Sequence, residues 1–143
     1  GDVYKRQVNA TYYSALGESD EKMLLARAIQ MFMPGKPQIW YLDLFAGKND
    51  HEAVQRAGES GHKEINRTNL STDQITEGLK KDVVQKQLAL IRMRNTHKAF
   101  SEGAEVAISG GERTLEIRWE YNSAFATLYV NFESGTYTIV ESR

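Results

Sequence analysis

The chain of 143 residues contains no cysteine and only two prolines. Without cysteine there are no disulfides and no thiolate metal sites, and the lack fits a reducing compartment, so the expected location is the cytoplasm. No apolar run is long enough to span a bilayer, and no membrane partner is expected. An excess of one charge is also lacking: 18 Lys and Arg stand against 19 Asp and Glu. The formal net charge of -1 argues against a nucleic-acid or anionic-membrane surface. No internal repeat or low-complexity run is evident. The 3 histidines show no spacing that fits metal ligation, and no cofactor is implied.

What is present falls into two regimes. The first, to about Ala99, alternates helical and strand signals. Ser19 and Asp20 are N-cap residue types ahead of a helix over 21–33, apolar nearly all round and so buried on several sides. Met23, Met31 and Met33 are read as core, and Pro34-Gly35 as the stop. Residues 38–42 form a short apolar run suited to a parallel strand covered on both faces. Ser71 followed by Gln74 is a capping box for a short helix over 72–79. Asp82 can cap a helix over 83–94 with Val83, Val84, Leu88 and Ile91 on one face. Lys80-Lys81 is a solvated junction.

The second regime, from about Glu102, has a period of two. Leu115, Ile117, Trp119 and Tyr121 alternate with polar residues, which makes Trp119 a core residue of a half-buried antiparallel strand. Turns at Ser109-Gly110-Gly111-Glu112 and Ser134-Gly135 set two hairpins, 105–108 with 115–121 and 125–132 with 136–140.

Between the regimes' helices lies the densest chemistry. Residues 34–71 read as a helix end, a buried strand and a long polar loop rich in Gly, Asn, Asp, His, Lys and Arg. The segments PGKPQIWYLDLFAGKND, EINR and KKDVVQKQLALIRMRN resemble the last barrel unit of the sucrose phosphorylase group of the alpha-amylase superfamily, glycoside hydrolase family 13. VNATYYSALGESDEKMLLARAIQMFMPG resembles the segment just before it. The resemblance is close over residues 8–95 and looser beyond, where it implies a C-terminal β-domain. The fold class it implies is α/β: the C-terminal part of a (β/α)8 barrel followed by a small antiparallel β-domain. Expected domains are 8–100 for the barrel part and 101–143 for the β-domain.

Residues 2–7, DVYKRQ, are the translation of GATGTGTATAAGAGACAG, the end sequence of a transposase used to prepare sequencing libraries. Residues 1–7 are therefore expected to be an adaptor scar at a broken gene, the alternative being a natural basic segment.

The resemblance implies a retaining phosphorylase that transfers glucosyl from an α-glucoside such as sucrose to phosphate. Its nucleophile, acid/base Glu and stabilising Asp follow earlier barrel strands and have no counterpart here, so no catalytic residue is assigned. What remains is one wall of the pocket. Asp43 ends the last barrel strand, and Asn49 and Asp50 follow in AGKND. Their short polar side chains suit sugar hydroxyls and equally suit loop closure. Where the family typically reads GRDINR, with its first Arg on the glucose, this chain reads GHKEINR. Lys63 is the nearest replacement, with His62 beside it, and lysine cannot form the planar fork of arginine. Arg67 either binds a ligand anion or pairs with Glu64 or Asp50. His51 and His97 are read as solvated, and of Tyr12 and Tyr13 one ring is expected in the core. The competing reading is a non-catalytic carbohydrate-binding or interaction module built on residues 102–143.

Overall fold

The computed structural model describes residues 11–49, 51, 55 and 69–143. The helices are α1 (Tyr12–Ala15), α2 (Asp20–Phe32), α3 (Tyr41–Leu44), α4 (Thr72–Gly78) and α5 (Asp82–Thr96), followed by a 3-10 turn, Lys98–Phe100. Four strands follow: β1 (Glu105–Ser109), β2 (Thr114–Tyr121), β3 (Ala124–Asn131) and β4 (Thr136–Glu141). They form one antiparallel sheet in chain order. The chain divides into two compact units, one of residues 1–20 and 39–84, the other of residues 21–38 and 85–143. Among the described residues, no helix is long and apolar enough to cross a membrane.

In the second unit the sheet follows the period-two reading. Ile108, Ile117, Leu128 and Ile139 align in one row, and Val106, Trp119, Ala126 and Glu141 in the next. Ile117, Trp119, Ala126, Leu128 and Val130 are buried. Gly135 closes the β3–β4 turn with φ +68°, a left-handed conformation that favours glycine.

Helix α2 buries Met23, Ala28, Met31 and Phe32. It ends one residue earlier than expected, and Met33 lies outside it, 43% exposed, not in the core. The end of this helix is where the unit is tied together. A helix leaves its last carbonyls without intrahelical partners. Here Arg94 Nη1 donates to Met31 O at 2.8 Å and Met33 O at 3.2 Å, and Nη2 donates to Gly35 O at 2.7 Å. Trp119 Nε1 donates to the remaining carbonyl, Phe32 O, at 2.6 Å. The guanidinium lies 4.2 Å from the Trp119 ring centroid and 5.1 Å from that of Phe100. Phe100 packs edge-on against Phe32 at 5.4 Å. Burial lowers the pKa of Arg94 from its ordinary value.

Helix α5 buries Val83, Val84, Gln87 and Leu90, whereas Leu88 and Ile91 are half-buried. The polar Gln87 sits on the buried face because its Oε1 accepts from Nε of the buried Arg27 at 2.9 Å. A buried polar group is tolerated when hydrogen-bonded. His97 departs from the solvated reading. Its side chain is only 15% exposed, its Nε2 lies 2.7 Å from Ser142 O, and its Nδ1 accepts from Ala99 N at 3.1 Å.

In the first unit the capping box is present in full: Ser71 Oγ accepts from Gln74 N, and Gln74 Oε1 accepts from Ser71 N. The strand expected over 38–42 is absent. Residues 37–40 have no regular structure and Tyr41–Leu44 make one helical turn. A parallel strand is defined by the neighbours it pairs with, and the described residues supply none. Leu42 is nevertheless buried, as its apolar character requires. Buried Gly78 of α4 packs against the Phe45 ring so closely that a Cβ there would collide with it. Lys80 pairs with Glu77 at 3.0 Å across an exposed surface, as a solvated junction should.

The clamp on α2 makes a direct expectation. Replacing Trp119 by Phe keeps an aromatic ring but leaves Phe32 O unsatisfied, which should cost about 1–3 kcal/mol. Arg94→Lys should cost at least as much, because an ammonium cannot serve three diverging carbonyls in place of a guanidinium. Urea denaturation monitored by tryptophan fluorescence measures both, and wild-type midpoints would contradict the clamp.

Candidate functional site

The loop residues expected to face a ligand belong to the first unit. Of these, Asp43 and Asn49 are described, while Asp50, His62, Lys63 and Arg67 lie outside the described residues. The structure brings Asp43 and Asn49 together on one target, the start of α1. Asp43 Oδ1 accepts from Tyr12 N at 2.7 Å, and Asn49 Oδ1 accepts from Thr11 N at 2.7 Å. Asn49 N donates to Ser14 Oγ at 2.8 Å. Thr11 Oγ1 caps the helix by accepting from Ser14 N at 3.1 Å. The first amides of a helix have no intrahelical acceptors, and three side-chain oxygens meet this need within one turn.

The reason lies in the local chain path. Helix α3 ends with Ala46 in the left-handed region at φ 54°, and Gly47 N then donates back to Leu42 O at 2.8 Å. This reversal follows Asp43 and precedes Asn49. A Cβ on Gly47 would collide with the Leu42 side chain, so the reversal requires glycine at that point. Ala46 holds a conformation costly for any residue but glycine, about 1–2 kcal/mol.

Sequence reasoning missed Thr11 and Ser14 as anchors. Thr11 is a recognised N-cap type, but its partner Asn49 lies 38 residues away. The expected core ring at Tyr12 or Tyr13 is not found: Tyr12 is 39% exposed and Tyr13 half-buried. The Tyr13 hydroxyl donates to Asp20 Oδ1 at 2.8 Å. That bond, with burial and the charges of Asp20 and Glu18, raises the Tyr13 pKa.

Trp40 and Tyr41 form an exposed aromatic pair with centroids 5.3 Å apart, separated from Asp43 in the chain by the buried Leu42. A cavity of about 400 Å³ is lined by Tyr13, Asp20, Ala46, Lys48, Lys81, Asp82 and Val83. Its two lysines and two aspartates balance, so it selects no ionic ligand by net charge. Lys48 also pairs with Glu18 at 3.2 Å on an exposed surface, a contact worth little. Among the described residues, no group of three or more His, Asp or Glu could hold a metal ion.

No family model matches the chain. It is 53% identical over 133 residues to a sucrose 6(F)-phosphate phosphorylase of Ilumatobacter coccineus, covering 93% of this chain and 25% of that protein. It is 43% identical over 141 residues to a sucrose phosphorylase of Agrobacterium vitis, covering 99% of this chain and 28% of the relative. The chain thus spans about a quarter of the length of the curated relatives it matches. Its structure is similar to the crystal structure of sucrose 6F-phosphate phosphorylase from Thermoanaerobacter thermosaccharolyticum. The TM-score is 0.88 at 40% identity, over 96% of this chain and 27% of that one.

If Asn49 closes the loop on α1, Asn49→Ala should strip the Thr11 amide of its acceptor and accelerate its hydrogen exchange. Asn49→Asp, which keeps an acceptor oxygen, should largely preserve protection. Exchange measured by NMR distinguishes them, and equal protection in both variants would remove Asn49 from this role.

Proposed function

We propose that the chain belongs to the sucrose phosphorylase group of the alpha-amylase superfamily and is the C-terminal part of a retaining glycoside phosphorylase; its similarity to members of that group supports this reading. The observation that carries this reading is 53% identity maintained over nearly the whole chain but only a quarter of the relative. The parent enzyme transfers glucosyl from an α-glucoside to inorganic phosphate. A carboxylate displaces the leaving group at the anomeric carbon while an acid protonates the departing oxygen. Phosphate, deprotonated by the same acid/base, then attacks the glucosyl-enzyme, so configuration is retained. Such chemistry needs two carboxyls about 5 Å apart, and this chain carries neither. Exposed Trp40 and Tyr41 in the first unit fit a segment that further barrel residues would cover.

In this proposal residues 8–100 complete the barrel, residues 101–143 form the β-domain, and the enzyme works in the cytoplasm. The loop holding Asp43, Asn49, Asp50, His62, Lys63 and Arg67 forms one wall of the glucose pocket. Asp43 and Asn49 fix its near end through α1. Lys63 carries part of the role of the arginine missing from GHKEINR, and it favours a phosphorylated glucoside. Two of the relatives named above are sucrose 6F-phosphate phosphorylases, which supports that preference.

Two outcomes test this reading. The 143-residue chain alone should release no glucose 1-phosphate from any α-glucoside above a blank. In the intact parent enzyme, Lys63→Ala should reduce kcat/KM mainly on anionic glucosides, by about 1.5–3 kcal/mol in transition-state stabilisation. An equal small loss on neutral and anionic substrates would make Lys63 structural, and a larger loss at His62→Ala would move the contact one position.

A further inference from the structure

The second unit carries a cavity of its own, of about 530 Å³, where the end of α5, the 3-10 turn and the end of β4 meet. It has no part in the function proposed above. Three residues with cationic side chains line it, Arg92, Lys98 and Arg143, against the Glu141 carboxylate and the C-terminal carboxylate that Arg143 also carries. Among the described residues none of these three cations forms an ion pair. Arg92 lies in α5, Lys98 in the 3-10 turn and Arg143 just beyond β4, so the fold brings Arg143 to two cations that are near in sequence.

His97 holds this arrangement. A carbonyl can only accept, so Nε2 carries the proton toward Ser142 O, and Nδ1 accepts from Ala99 N. Both ring nitrogens are committed with the imidazole neutral. The imidazole therefore adds no charge; it pins the backbone of Ser142, next to Arg143, against the turn that begins with Lys98. With the C-terminal carboxylate of Arg143 counted beside Glu141, the lining keeps an excess of one positive charge.

We propose that this cavity binds a phosphate group, either as inorganic phosphate or as the phosphate of a phosphorylated sugar. Three cationic side chains around one cavity suit a phosphate, with its several anionic oxygens, better than a single carboxylate. Two of the three cations are guanidinium groups, whose forks fit phosphate oxygens bidentately. The volume exceeds that of one phosphate and leaves room for a sugar attached to it.

The probes are inorganic phosphate and, separately, a hexose 6-phosphate, each titrated into the 143-residue chain and followed by amide NMR shifts. Saturable shifts are expected at Thr96, Lys98 and Arg143. Arg92→Gln and Lys98→Gln, both at exposed positions, should each weaken binding roughly three- to tenfold with the fold intact. Added potassium chloride should weaken it further, because exposed charges are screened. Tighter binding of the hexose phosphate would identify a phosphate ester as the ligand, and equal binding would identify inorganic phosphate. The proposal is overturned if the Arg92→Gln/Lys98→Gln double variant binds as tightly as the unmodified chain. Shifts confined to residues 49–67 would overturn it equally.

Discussion

The carbonyl end of α2 is the constraint on which the second unit depends. Met31, Phe32, Met33 and Gly35 each present a backbone oxygen there, and Arg94 and Trp119 satisfy all four. An unsatisfied buried carbonyl costs about 1–3 kcal/mol; that cost applies to Phe32 O and in part to Met31 O, whereas Met33 O and Gly35 O lie at the exposed rim. The donors come from α5 and β2, which fixes both elements against the same point. The guanidinium also lies over the Trp119 and Phe100 rings, where cation–π attraction adds to the hydrogen bonds. Sheet, turn and both long helices of this unit thus share one polar anchor inside an apolar surround.

Features governed by neighbours in sequence were legible before the structure. The Ser71–Gln74 capping box needs only four consecutive residues, and both of its bonds are present. The β2 alternation and the Gly135 turn are similarly local. Features governed by distant partners were not legible. Gln87 looks like a surface residue until Arg27, 60 positions away, gives it a buried partner. His97 looks solvated until Ser142, 45 positions away, occupies its Nε2. The expected strand at 38–42 failed for a related reason: strands are made by partners, and a short apolar run such as this can also settle in part into a helical turn, here with Leu42 buried and Trp40 and Tyr41 exposed.

The candidate site divides along the same line. The residue types at Asp43 and Asn49 allowed either sugar binding or loop closure, and geometry shows one oxygen of each engaged by the amides of Thr11 and Tyr12. Such engagement is compatible with a pocket wall, since a loop must be rigid before it can orient a hydroxyl. A carboxylate with one oxygen fixed has its second oxygen held in a defined direction. The described end of the loop, Asp43 and Asn49, is thereby tied to the start of α1.

The central claim is that this segment completes a phosphorylase. Grafting residues 8–143 in place of the matching segment of the Ilumatobacter coccineus relative tests it most directly, since the two are 53% identical over 133 residues. The account predicts a folded chimera that releases glucose 1-phosphate from sucrose or its 6F-phosphate when phosphate is supplied. A chimera that folds with an intact far-UV spectrum and a cooperative melt, yet releases none, would contradict it.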